Sequence, residues 1–209
     1  MATTTTSKVS IANNDAYDRA TYCTTGAAKF GKTGTEGHIA GFRFTDVARP
    51  LGSDGVTSAY LRWFSTATET SNVRVRIYGQ NAATTVAFDC AGNRPSRRPG
   101  TTGGVEYTPG MWIAGQTYSS PDIAPILNEI LANAGSKWDN TFVILVSDSG
   151  SSGTRNPEVY EHNANHAAEL VINWSLGSQT PTATPTPTAQ GSARVHRLLW
   201  LPLFLDAVT

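Results

Sequence analysis

The chain has 209 residues, a formal net charge of zero and only 15% charged residues. Neutralising the phosphates of a nucleic acid or of an anionic membrane surface requires a basic excess, so composition excludes both partner classes. Thr, Ser, Gly and Ala are abundant while Lys and Glu are sparse, a balance that leans away from helix surfaces and towards strands and turns.

The start, MATTTTSKVSI, lacks the apolar stretch and small-residue cleavage site of a secretory signal. Residues 1–8 read as an N-terminal extension and Val9–Ile11 as a short opening strand. Residues 12–38 are rich in Asn, Asp, Thr and Gly, with one apolar break at Ala27–Phe30, and residues 39–44 (IAGFRF) suit a half-buried strand. In SAYLRWFS, Ala59, Leu61 and Trp63 fall on one strand face and Tyr60, Arg62 and Phe64 on the other. VRVRIY has the cleanest period of two, with Val73, Val75 and Ile77 inward. Val86–Phe88 and Val105–Tyr107 read as short strands on either side of a polar Pro/Arg/Gly loop. One helix is well specified: Ser120 as cap, Pro121 at the first position, Asp122 at the positive end, and Ile123, Ile126, Leu127, Ile130 and Leu131 on one face until Gly135. Thr141–Val146 is nearly all apolar and is expected at the centre of a sheet, and Leu170–Trp174 closes the domain. The expected fold is all-β: an antiparallel β-sandwich, jelly-roll-like, with one crossover helix, occupying residues 9–176.

From Gly177 the composition changes. Residues 177–192 read as a disordered Thr/Pro linker, an extended semi-rigid spacer dense in candidate O-glycosylation sites. Such a stalk argues for an extracellular or cell-surface location. Residues 193–209 form a short hydrophobic tail, whose apolar run Leu198–Leu205 is far shorter than the ~20 residues of a bilayer-spanning helix. In an exported chain Cys23 and Cys90 would pair as a disulfide closing a long loop; two buried thiols are the alternative.

Residues 26–33, GAAKFGKT, satisfy the phosphate-loop pattern, and Val143–Asp148 resembles the strand that would end in a magnesium-binding acid. The required context is missing: polar residues precede the loop, and Gly34, Gly37 and Gly41 oppose a following helix. A Gly/Thr-rich loop is the preferred reading. His162 and His166 could share a helix face and hold zinc, but Asn163 and Asn165 favour a solvated loop. Asn13, Asn14, Asp15 and Asp18 form the oxygen-rich cluster from which a structural calcium would draw ligands; turn chemistry is the competing explanation. Tyr107, Trp112 and Tyr118 are the candidate sugar-stacking rings, against the alternative that they pack in the core. Arg97 and Arg98, with Arg94, could clamp an acidic sugar, against a polar loop containing one buried salt bridge. Nucleophile-elbow and HExxH motifs are both missing, and a catalytic role is unsupported.

Several residues, in this order, carry a family likeness: Asn14-Asp15-Ala16-Tyr17-Asp18, Gly41-Phe42-Arg43-Phe44, Ala59-Tyr60-Leu61, Val75-Arg76-Ile77-Tyr78-Gly79, Trp112 with Gly115 and Tyr118, and Glu169-Leu170-Val171-Ile172. Over residues 8–175 the chain resembles secreted β-sandwich modules of the DNRLRE type. The tail HRLLWLPLFL is similar to the YLPLVL endings that follow Thr/Pro repeats in secreted proteins of Chloroflexi-type bacteria, with Trp200 in the aromatic place. The resemblance implies an accessory or structural part of a surface protein or polysaccharide-degrading system. The reading is a non-catalytic structural or adhesive module, self-assembling or bound to a cell-envelope component. The alternative is a carbohydrate-binding module whose partner is a polysaccharide.

Overall fold

The computed structural model describes residues 2–177; residues 178–209, which hold almost all of the expected linker and tail, lie outside the described residues. Two antiparallel sheets form the sandwich. The smaller has the order β1 (Ala2–Lys8), β12 (Glu169–Leu176), β6 (Ser53–Phe64), β9 (Thr117–Ser119). The larger runs β11 (Thr154–Arg155), β4 (Phe30–Thr33), β5 (Glu36–Phe44), β10 (Phe142–Asp148), β7 (Val75–Gly79), β8 (Val105–Tyr107). Two more strands extend it, with β2 (Asp15–Arg19) on β5 and β3 (Tyr22–Thr25) on β2. One α-helix, α1 (Ala124–Ala134), packs on β6 and β7.

The period-two pattern determines which residues fill the space between the sheets. Ala59, Leu61 and Trp63 of β6, with Leu170, Ile172 and Trp174 of β12, are buried against Phe42, Phe44, Val75, Ile77, Ile144 and Val146 of the larger sheet. Strand β10 is nearly continuous in apolar residues because both its faces are dry. Its Val143 and Leu145 point away from the main core into a second cluster with Ala16 and Phe88. Position 41 must be glycine here: a Cβ there would lie 2.4 Å from the Phe88 ring. The segment 80–104 therefore roofs the outer face of the larger sheet.

The free side of β6 is sealed by a run of side chains. The amide of Leu61 donates to Ser120 Oγ at 3.0 Å, that of Ala59 to Asp122 Oδ1 at 2.8 Å, and that of Val56 to Asn128 Oδ1 at 2.9 Å. Asn128 Nδ2 returns a bond to the Val56 carbonyl at 2.9 Å. Beyond the three residues of β9, these groups do what a neighbouring strand would do.

Several expectations need correction. Residues 1–8 are not an extension: Ala2–Lys8 is β1, laddered on β12, and Val9, expected to open the first strand, is buried just after it. The polar stretch 12–38 contains β2, β3 and β4, whose alternation is masked by Thr, Gly and Asp. Val86–Phe88 is not a strand; Val86 is exposed and Phe88 is the plug of the outer core. The helix begins at Ala124 rather than at Pro121, because Ser120 and Asp122 are committed to β6. Its apolar face is as expected, and it ends at Gly135.

Candidate functional site

The three aromatic rings nominated for sugar stacking do come together, with Trp112 inside the protein and Tyr107 and Tyr118 half-buried. Trp112 is fully buried, stacked on Tyr118 with centroids 5.0 Å apart and edge-on to Phe30 at 5.7 Å. Tyr107 lies half-buried over Trp63, and its hydroxyl donates to the Ser119 carbonyl at 3.2 Å. The Tyr118 hydroxyl accepts from the Ile113 amide at 2.6 Å. Arg155, itself buried beside Trp112, donates to the carbonyls of Ser71 and Gly110 at 2.9 and 2.7 Å, tying the loops that close this end. Trp112 offers no face to a ligand.

Arg98 is also internal in function. Its guanidinium donates to Gln80 Oε1 at 3.0 Å and to the carbonyls of Val86, Ala87 and Asn93 at 3.0–3.2 Å, while lying 4.8 Å over the Phe88 ring. Arg97 is exposed and donates to the Ala91 carbonyl at 2.9 Å. Arg94 forms the buried salt bridge: its Nε is 3.1 Å from Asp18, whose side chain is fully enclosed and which also accepts from the Ser96 hydroxyl at 2.5 Å. Cys23 and Cys90 are joined as a disulfide, with Cα atoms 5.5 Å apart. Arg98 ties the 80–104 roof to itself, while the disulfide, the Arg94–Asp18 pair and Arg43, which donates to the hydroxyl and carbonyl of Thr85 at 3.1 and 3.0 Å, fasten it to the sheet below.

The proposed calcium ligands do not converge. Alternation along β2 places Asp15 and Asp18 on opposite faces. Asp18 is taken by Arg94, and Asn14 Oδ1 accepts from Arg43 at 3.0 Å. These residues do not form one oxygen shell of the kind calcium needs. Among the described residues no group of three or more His, Cys, Asp or Glu is placed to hold a metal ion. His162 pairs with Glu158 at 3.2 Å, and His166 stacks on Phe64, with centroids 3.8 Å apart. The two histidines therefore serve separate contacts. The phosphate-loop look-alike becomes a turn followed by β4, which pairs with β5 and β11.

A pair of acids from distant parts of the chain, Asp15 and Glu161, is not legible in the sequence. Asp15 is buried, and its Oδ2 accepts from the Tyr160 amide at 3.3 Å while Oδ1 has no donor. The Glu161 carboxylate acts on Asp15 through its charge. It passes so close to Gly26 that a Cβ there would be 2.8 Å from Glu161 Oε1. Burial, then the Glu161 charge, push Asp15 up to about 7. Beside them opens a cleft of about 270 Å³ lined by Tyr17, Lys29, Thr66, Asn156, Glu158 and His162. The Lys29 ammonium lies 5.7 Å over the Tyr17 ring. The alternation Asp15–Tyr17 could have placed these two side chains on one face, but nothing in the sequence pairs them with residues 158–162. No protein-family model matches this chain, and no curated protein matches it either.

Proposed function

We propose that the chain is a non-catalytic extracellular module with a structural or adhesive role at a cell surface, able to assemble with copies of itself. One observation carries this reading: the irregular segment 80–104 is cross-linked to the sheet by a disulfide and by the contacts of Arg94 and Arg43. Disulfides persist in oxidising compartments. Residues that could have served a ligand are instead spent on rigidity. The Thr/Pro segment after residue 177 supports the same reading, as a spacer between module and surface. The experiment is expression of the chain in its native host, with localisation on whole cells and thiol labelling under denaturing, non-reducing conditions. Surface protein with both cysteines blocked supports the reading; a cytoplasmic protein with two reactive thiols overturns it.

A second reading, a carbohydrate-binding module, is favoured by the Tyr17–Lys29 cleft, where an aromatic ring and a cation stand together as they would for an acidic sugar. Saturable binding of an acidic polysaccharide that is lost in Tyr17→Ala and kept in Tyr60→Ala would establish it. Binding unchanged in Tyr17→Ala would remove it.

A further inference from the structure

The edges of the two sheets are treated very differently. Edge strands attract further strands unless they are short, covered or interrupted. In the larger sheet β11 has two residues and β8 three, and β3 is held by Arg94, which donates to the Tyr22 carbonyl at 3.2 Å. On the smaller sheet, the β6/β9 side is sealed by Ser120, Asp122 and Asn128. Strand β1 is the exception. It is seven residues long, contains neither proline nor glycine, and lies at the edge of its sheet.

The ladder defines which of its backbone groups are spare. The Val9 amide donates to the Ala168 carbonyl at 3.0 Å, which continues the β1–β12 register. Hydrogen-bonded pairs alternate along an antiparallel ladder. Thr3, Thr5 and Ser7 therefore bond to β12, and the amides and carbonyls of Thr4, Thr6 and Lys8 point outward. Among the described residues these outward groups make no backbone hydrogen bond. Four of the seven residues are threonine, and Lys8, paired with Glu169 at 3.0 Å, is the strand's one charged group.

We propose that β1 is a self-association edge, on which the β1 of a second copy pairs antiparallel about a two-fold axis through Thr5. This deepens the assembly part of the function proposed above and rests on it. The strand is self-complementary in this register. Thr4 faces Thr6 of the other copy in hydrogen-bonded pairs, threonine opposite threonine being a favourable cross-strand match. Lys8 faces Ala2 of the other copy, so the two lysines stand at opposite ends. The two smaller sheets become one continuous sheet across the axis, an isologous closed contact.

The test is sedimentation of the full chain over a range of concentrations, wild type against Thr4→Pro/Thr6→Pro. Proline at these two positions removes outward amides and leaves the backbone bonds to β12 in place, with the Thr4 hydroxyl bond to Asn173 lost as well. The expected result is a monomer–dimer equilibrium in the wild type, weakened at least tenfold in the double variant. Because proline could also loosen β1, register is read separately by cross-linking. A mixture of Thr4→Cys and Thr6→Cys chains should form a disulfide-linked dimer under mild oxidation, while Thr4→Cys alone does not. A monomeric wild type, a dimer indifferent to the prolines, or equal cross-linking of Thr4→Cys alone each overturn the proposal. The last two outcomes leave assembly itself standing, and all three leave the surface-module reading to its own localisation test.

Discussion

Trp112 shows how a single residue misleads when read without its partners. A tryptophan in a Gly/Pro-rich stretch looks like a binding platform, yet this one is enclosed by Phe30, Trp63 and Tyr118. Trp112→Ala should therefore cost about 3–5 kcal/mol of stability, read as a lower urea midpoint, with no selective loss of any ligand. Asp15 makes a second prediction at this scale. Its carboxyl is raised to about 7 by burial and by Glu161, against about 4 in an unfolded chain. Between those values the folded state holds the extra proton. Its contribution to stability is then fully present below about pH 4 and is lost as pH rises to about 7, with a slope of up to ~1.4 kcal/mol per pH unit. Asp15→Asn, which can still accept from Tyr160 and carries no charge to be buried or repelled by Glu161, should flatten this part of the profile and make the protein more stable than wild type at pH 8. Urea midpoints from pH 4 to 8 for both proteins check it. Asp15 was visible in the sequence as an acid of possible function. Its partner was not, because the Asp15–Tyr160 hydrogen bond joins positions 145 residues apart.

Among the elements, the strands with clean alternation were legible from sequence: β5, β6, β7, β10 and β12 all lie where hydrophobic periodicity places them. β2, β3 and β4 were not, because much of their burial is carried by Asp, Gly and Thr, whose enclosure depends on partners remote in sequence. The same logic hid the start of α1, since Ser120 looks like a cap and serves as an edge acceptor for β6, while Asp122 accepts both from β6 and from the Ala124 amide that opens the helix. Asn128→Ala should remove both bonds to Val56 and leave buried backbone groups without partners, costing about 1–3 kcal/mol. Faster amide exchange at Val56 should accompany that loss, while the far end of β12 is unaffected. The roof over the larger sheet offers a sharper contrast. The Cys23–Cys90 disulfide spans 67 residues, and chain-entropy arguments assign such a closure about 4 kcal/mol. Replacing both cysteines by serine should lower stability by roughly that amount, and hydrogen exchange should rise first in residues 80–104.

For the whole molecule, the sandwich, its single helix and the change of character after residue 176 could all be read in the sequence. The unequal treatment of the two sheets could not. The larger sheet is roofed on its outer face over Ala16, Val143 and Leu145, whereas the smaller presents Thr4, Asn173, Ser58, Tyr60 and Arg62 to solvent from three adjacent strands. Thr4, Asn173 and Ser58 are linked side to side by hydrogen bonds of 2.6 and 2.8 Å. Any broad contact with a surface should therefore fall on this hydroxyl-rich face. Under the surface role proposed above, lysine substitutions there (Thr6→Lys with Ser58→Lys) should weaken retention at the cell envelope, while the same change on the roof at Val86 should not. Fractionation of whole cells measures the difference.

The register of β1 against β12 has a mechanical consequence. Ala2 sits beside Ser175, so the first described residues and the point where the Thr/Pro segment departs lie at the same end of the same pair of strands. Tension applied between those two points would not shear the ladder as a unit. It would open the ladder rung by rung, like a zip, from Ala2 towards Lys8, and the disulfide, which closes a different loop, would carry none of that load. A module pulled only through its C-terminal side is spared this, whereas one pulled at both ends surrenders β1 first and the sandwich afterwards.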